Sequence, residues 1–166
     1  MKRHFTILLL ALMACIASAD TLTIRGLFTE MPDSLIPYLS RNARLDFIDF
    51  MDSKMKAEVT NDFGGKSQMT ALSDDSLSIL LNEACRLDML LLTATQPIDS
   101  TNQVIAMVQT IGREGEGEDT CVDFYSVRWR PLPNKPSLTP ESEKRIKKYL
   151  KISNILKILT EKLNKQ

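Results

Sequence analysis

Three observations predict an α+β domain with N-terminal helices, an antiparallel sheet of about five strands, and a C-terminal amphipathic helix. Apolar residues before Gly64-Gly65 recur at helical spacing, those after it alternate at strand spacing, and no helical pattern separates the alternating runs. Parallel strands would need a crossover helix between neighbours. Residues 1–19 read as a signal peptide, 20–134 as a single α+β domain, and 135–166 as a Pro-rich connector followed by the terminal helix.

At the start, Lys2, Arg3 and His4 precede an apolar run from Phe5 to Ile16, and Ala17-Ser18-Ala19 has the small-x-small pattern of a signal-peptidase site. The mature chain is therefore expected to begin at Asp20, in the periplasm or outside the cell. The run holds 12 residues, short of the roughly 20 a bilayer span needs, so no membrane span is expected. Leu12-Met13-Ala14-Cys15 also resembles a lipoprotein box, which would instead lipidate Cys15.

Thr21 to Met31 reads as a short amphipathic helix with Leu22, Leu27 and Phe28 apolar, and a further helical turn runs from Asp33-Ser34 to Tyr38, interrupted by Pro37. From Ser40 to Met55 the residues Leu45, Phe47, Ile48, Phe50, Met51 and Met55 form the apolar side of a longer helix, opposite Asp46, Asp49 and Asp52. Then Ser67-Met69-Ala71, Leu77-Ile79-Leu81 and Cys85-Leu87-Met89-Leu91 alternate with mostly polar neighbours, joined by Asp74-Asp75 and Asn82-Glu83. Two further strands, Gln103 to Ile111 and Thr120 to Trp129, flank a glycine-bearing hairpin loop from Arg113 to Asp119. Pro131, Pro133 and Pro136 end the sheet. Thr139 is a good N-cap with Pro140 at the first helical position, and Tyr149, Ile152, Leu156, Leu159 and Leu163 then form one apolar stripe. That stripe suits a helix docked on its own domain, and it is also a candidate partner-binding helix.

Charge separates along the chain. Asp20 to Asn134 carries 10 basic and 18 acidic residues, whereas Lys135 to Gln166 carries 9 basic and 3 acidic. An acidic body with a basic end favours docking of the terminal helix on the body, and the tail is too short and mixed for a nucleic-acid arm, so no nucleic-acid partner is expected. Cleavage before Asp20 removes His4, the single histidine. Without it there is no Ser-His-Asp triad, no Cys-His dyad and no imidazole ligand.

Several motifs invite chemistry and fall short. Asp62-Phe63-Gly64-Gly65-Lys66-Ser67 lacks the first Walker glycine, since Thr60 stands there, and lacks the strand-to-helix context. Ser53-Lys54-Met55-Lys56 matches Ser-x-x-Lys, but it closes a helix and has no partner motifs. The acids Asp46, Asp49 and Asp52, and Glu114, Glu116, Glu118 and Asp119, do not have the spacing of a calcium loop. No metal and no cofactor are expected. The turn Asn61, Gly64, Gly65, Lys66 and Ser67 remains the candidate binding turn, because glycines let a backbone approach a ligand closely. Cys85 and Cys121 are a possible disulfide. In a simple meander an intervening strand would hold them about 9.5 Å apart, beyond the roughly 7 Å a bridge allows; another strand order would let them pair, worth about 3–4 kcal/mol.

The strings Met31-Pro32-Asp33-Ser34-Leu35-Ile36-Pro37-Tyr38-Leu39, Arg44-Leu45-Asp46-Phe47-Ile48-Asp49-Phe50, Met55-Lys56-Ala57-Glu58-Val59-Thr60-Asn61, Gly64-Gly65-Lys66-Ser67 and Met69-Thr70-Ala71-Leu72-Ser73-Asp74-Asp75 occur in that order. With the Tyr125 to Leu132 ending, the chain from Leu27 to Leu132 resembles the exported bacterial family catalogued as domain of unknown function 3256, associated with Bacteroidales. The resemblance implies export and carries no catalytic residue.

Composition, motifs and resemblance together point to a non-enzymatic exported or periplasmic domain that binds a protein or other envelope component, possibly itself. Two other readings stay open: a histidine-free hydrolase or isomerase using carboxylates or a Ser-Lys pair, and a lipid-anchored structural envelope protein.

Overall fold

The computed structural model describes residues 22–112 and 119–150. Helix α1 (Ile24–Thr29) is followed by a 3-10 turn (Asp33–Leu35) and helix α2 (Arg41–Asp52). Seven strands come next: β1 (Glu58–Thr60), β2 (Lys66–Leu72), β3 (Ser76–Asn82), β4 (Cys85–Ile98), β5 (Thr101–Ile111), β6 (Asp119–Ser126) and β7 (Pro131–Leu132). Helix α3 occupies residues 140–150 of the described chain. The fold is α+β, as the periodicities predict.

The helices start where the capping chemistry places them. Thr23 Oγ1 accepts from Gly26 N at 3.3 Å and Ser40 Oγ from Ala43 N at 3.3 Å, each satisfying a donor that has no partner within its helix. Beyond α2, Lys54 takes a left-handed φ of 55°, which stops the helix. At the other end of the chain, Ser142 N donates to Thr139 Oγ1 at 3.4 Å, so the predicted cap of α3 is in place.

Every strand pairs antiparallel with the next, in the order β1 to β7. The five expected strands correspond to β2–β6. Strand β1 lies outside the predicted set because three residues give too little alternation to read, and β7 because a proline at position 131 predicts the end of the sheet. Pro131 sits instead in a two-residue edge strand, where a missing N–H costs little. Strand β4 runs further than the alternation implied. Its apolar stretch from Met89 to Leu92 is buried on both faces, which erases the polar half of the pattern.

Both faces of the sheet are covered. On the front, Met69, Leu77, Ile79, Met89 and Ile105 pack under Ile24 and Phe28 of α1 and Phe47 and Ile48 of α2. On the back, Leu90, Leu92, Val104, Ala106 and Phe124 pack under Leu138 and Ile146. Helix α3 is tied down by Thr93 N donating to Ser142 Oγ at 2.9 Å, Arg145 Nη1 donating to the Leu91 carbonyl at 3.1 Å, and an Arg145–Asp75 ion pair at 3.0 Å. Tyr149 of the predicted stripe packs against this back core. Ile152, Leu156, Leu159 and Leu163 lie outside the described residues, as do the signal peptide, Cys15 and the hairpin segment 113–118. No helix among the described residues is long and apolar enough to cross a membrane.

The inner face of α2 departs from the expectation. Leu45 is 36% exposed, and Met55, beyond the helix, is 58% exposed. Arg44, which is not among the residues of the predicted apolar side, is 1% exposed and lies beside Ala43, Phe47 and Ile48 on the buried side. Apolar spacing alone misplaces it, because its partners are main-chain carbonyls rather than side chains.

Candidate functional site

The residues of the predicted binding turn do meet, between β1 and β2, but they are spent on one another. Asn61 Oδ1 accepts from Phe63 N at 3.1 Å and Gly65 N at 3.0 Å, while its Nδ2 donates to Ser67 Oγ at 3.1 Å and to the Leu81 carbonyl at 3.2 Å. Ser67 Oγ itself donates to the Leu81 carbonyl at 2.7 Å. Gly64 has φ of 80°, which favours glycine, and a Cβ on Gly65 would stand 3.4 Å from Asn61 Nδ2. Lys66 Nζ donates to Thr60 Oγ1 at 3.1 Å. The turn therefore fastens β1 and β2 to β3. Asn61→Ala should lower stability by about 2–3 kcal/mol in urea unfolding, since Asn61 is 5% exposed and its loss strands several partners. A loss below about 1 kcal/mol would show that the turn is not the fastener.

What the turn supports is a neighbouring cleft. The segment after the 3-10 turn stands off the front face, leaving a cleft of about 200 Å³ between Leu35–Tyr38 and strands β3–β6. Leu81, Leu87 and Met107 form its apolar floor, with Gln109, Asp123 and Tyr125 on the β5–β6 side. Tyr38 forms the opposite lip. Its hydroxyl accepts from Asn82 Nδ2 at 3.0 Å, its carbonyl accepts from Asp62 N at 3.0 Å, and its ring meets Phe63 edge-on at 4.8 Å. Phe63 is 68% exposed, so the hairpin tip presents an aromatic face beside the cleft mouth.

The lip depends on Arg44. Its guanidinium donates to the carbonyls of Met31 at 2.7 Å and Leu39 at 2.8 Å and pairs with Asp33 at 2.8 Å, closing the segment that carries Tyr38. Arg44 Nε has no hydrogen-bond partner among the described residues.

On the opposite wall Gln109 is engaged with the cysteines, and two other polar groups are left over among the described residues. Neither the Tyr125 hydroxyl nor the Asp123 carboxylate makes a hydrogen bond among the described residues, while the Tyr125 ring leans on Trp129 at 5.8 Å. Burial pushes the Tyr125 hydroxyl up from its usual range, with Asp123 and Cys121 adding to the rise. It stays protonated and able to donate at neutral pH.

The cysteines flank this wall. Because strand order is consecutive, β5 lies between them: Cys85 pairs with Ile111 on one side and Cys121 with Gln109 on the other. Both are free thiols, and Gln109 Nε2 lies 3.3 Å from Cys85 Sγ. Among the described residues no three His, Cys, Asp or Glu side chains are grouped to hold a metal. A shallower groove of about 410 Å³ lies between α1 and the β6–β7 loop, lined by Leu22, Leu27, Val127 and Trp129. Trp129 Nε1 donates there to the Leu27 carbonyl at 3.2 Å, and Glu30 and Arg128 also line the groove.

No local pattern marks Tyr38, Asp123 and Tyr125 as a set. They lie on a loop and on a strand 85 or more residues further along, and only the sheet order brings them to one end of the front face.

These features define a class: an antiparallel meander covered by helices on both faces, with a cleft of side-chain size near one end of its front face. The chain belongs to the family described as Protein of unknown function (DUF3256), whose model matches residues 16–160. The match reaches beyond the Leu27–Leu132 stretch that carries the resemblance and takes in α3. Among solved structures, a domain of an uncharacterized protein from Porphyromonas gingivalis W83 is similar, with a TM-score of 0.53 and 22% identity over 67% of this chain. The match covers 54% of that protein's chain, and the likeness speaks for the fold alone. No curated protein matches the chain.

Proposed function

We propose that the protein is a non-enzymatic exported domain, periplasmic or secreted, that binds another component of the cell envelope through the front-face cleft. The observation that carries this reading is the contrast between two neighbouring features. The Asn61 turn consumes its own polar atoms, whereas the cleft holds the Tyr125 hydroxyl and the Asp123 carboxylate with no hydrogen-bond partner among the described residues, beside an apolar floor. A few free polar groups over apolar surface is the usual make-up of a binding site. The basic, apolar start and the Ala17-Ser18-Ala19 site support export.

The test is made on protein recovered from the cells that produce it. The mature chain should begin at Asp20 and retain a bound component that a Tyr125→Arg variant, with the cleft filled, no longer retains. An intact N-terminus on cytoplasmic protein would overturn export. Equal retention by the variant would overturn the cleft.

A further inference from the structure

The cleft opens beside an edge of the sheet. Strand β7 covers only Phe124 and Tyr125 of β6, so Thr120 to Asp123 has no strand beyond it among the described residues. Ser126 N donates outward to the Arg130 carbonyl, and the two-residue alternation of a strand puts the outward-facing backbone groups of Val122 and Thr120 along the same edge. Cys121 and Asp123 point to the front face, level with Gln109 and Met107 respectively. A segment added at this edge would thus place alternate side chains beside Asp123 and the cleft.

Size and charge narrow the occupant. At about 200 Å³ the cleft is smaller than the roughly 300–1,000 Å³ of pockets that enclose a whole small-molecule ligand. It suits a single long side chain. Asp123 brings a negative charge, no lysine or arginine lines the cleft, and Tyr38 and Tyr125 contribute aromatic rings. An apolar floor beneath a carboxylate and two tyrosines suits an aliphatic stem ending in a cation. A second copy fits poorly. Strand β6 from Asp119 to Ser126 carries no lysine or arginine to lay beside Asp123, and antiparallel pairing of β6 with itself about Asp123 sets that residue against itself, which like-charge repulsion disfavours.

We propose that the open edge of β6 and the cleft form one docking surface for an extended, basic segment of a partner protein. The segment pairs with Thr120–Asp123 as an added strand and lays a lysine or arginine side chain beside Asp123, over the cleft floor. This rests on the reading of the chain as a binding domain and supplies the chemistry of what it binds.

The test uses the full mature chain and three capped heptapeptides of alternating threonine and valine, with lysine, norleucine or glutamate at the centre. Amide NMR follows each titration. The lysine peptide should bind roughly three- to tenfold tighter than the norleucine peptide, and it should slow hydrogen exchange at the Thr120 and Val122 amides. Asp123→Asn, an exposed and nearly isosteric change, should erase that preference, as should about 0.5 M salt in large part. Equal binding of lysine and norleucine peptides would overturn the cationic occupant. Shifts confined to the α1 groove, or β6-mediated dimers that exclude the peptide, would overturn the surface. Those failures are distinct from failure of the binding-domain reading, which is decided by what the Tyr125→Arg variant retains in its own cells.

Discussion

Arg44→Ala is expected to lower the unfolding free energy by about 3–5 kcal/mol and to dismantle the cleft. Three losses add. The aliphatic stem leaves a cavity beside Phe47 in α2, the buried carbonyls of Met31 and Leu39 lose their donor, and the segment carrying Tyr38 loses its closing bond. The ion pair with Asp33 contributes least, because that carboxylate is largely exposed and can return to water when the pair is broken. Arg44→Met isolates the polar part. It keeps most of the packing and strands the two carbonyls, so a loss of about 2–3 kcal/mol is expected. Urea unfolding gives both figures, and NMR shifts at Tyr38 and Asn82 report whether the lip has moved. If Arg44→Ala loses less than about 1 kcal/mol, buried Met31, Ile36 and Leu39 suffice to hold the segment, and Arg44 has no positioning role.

The same residue shows where sequence reading succeeds and where it stops. The existence of α2 and its start beside Ser40 followed from helical spacing, though it ends at Asp52 rather than Met55, and strands β2 to β4 followed from two-residue alternation, because in both cases a local period reports which side is buried. Arg44 breaks that logic, since it is charged and buried. Its partners, the carbonyls at Met31 and Leu39, belong to an irregular segment with no period to read. The turn at Asn61 to Ser67 was legible as a turn but not as a fastener, because its decisive bond runs to the Leu81 carbonyl on β3, a long-range partner. The cleft was illegible for the same reason. Tyr38 and Asp123 become neighbours of one space only after strands β1 to β6 have been laid in order. Composition places the single histidine, His4, outside the described residues; it carried no information on which groups the sheet would bring together.

Helix α3 yields the second large effect. Ile146→Asp is expected to release the helix from the back face, at a cost of about 4 kcal/mol or whatever smaller free energy holds the helix down. Ile146 is buried in the cluster that includes Leu90, Val104, Ala106 and Phe124, and burying an unpaired carboxylate there is harder than undocking. Undocking exposes that apolar surface, so the variant should bind a hydrophobic dye under conditions where the parent does not. Lys147→Asp is the matched control. Its side chain is exposed, and the change should shift stability by no more than about 0.5 kcal/mol without dye binding. The comparison separates the two readings of the terminal stripe. A docked element makes position 146 critical, in line with the Arg145–Asp75 pair and the acidic body beneath a basic end. A free partner-binding arm would tolerate Ile146→Asp with native stability and no dye signal, and that result would return residues 140–150 to the list of interaction surfaces.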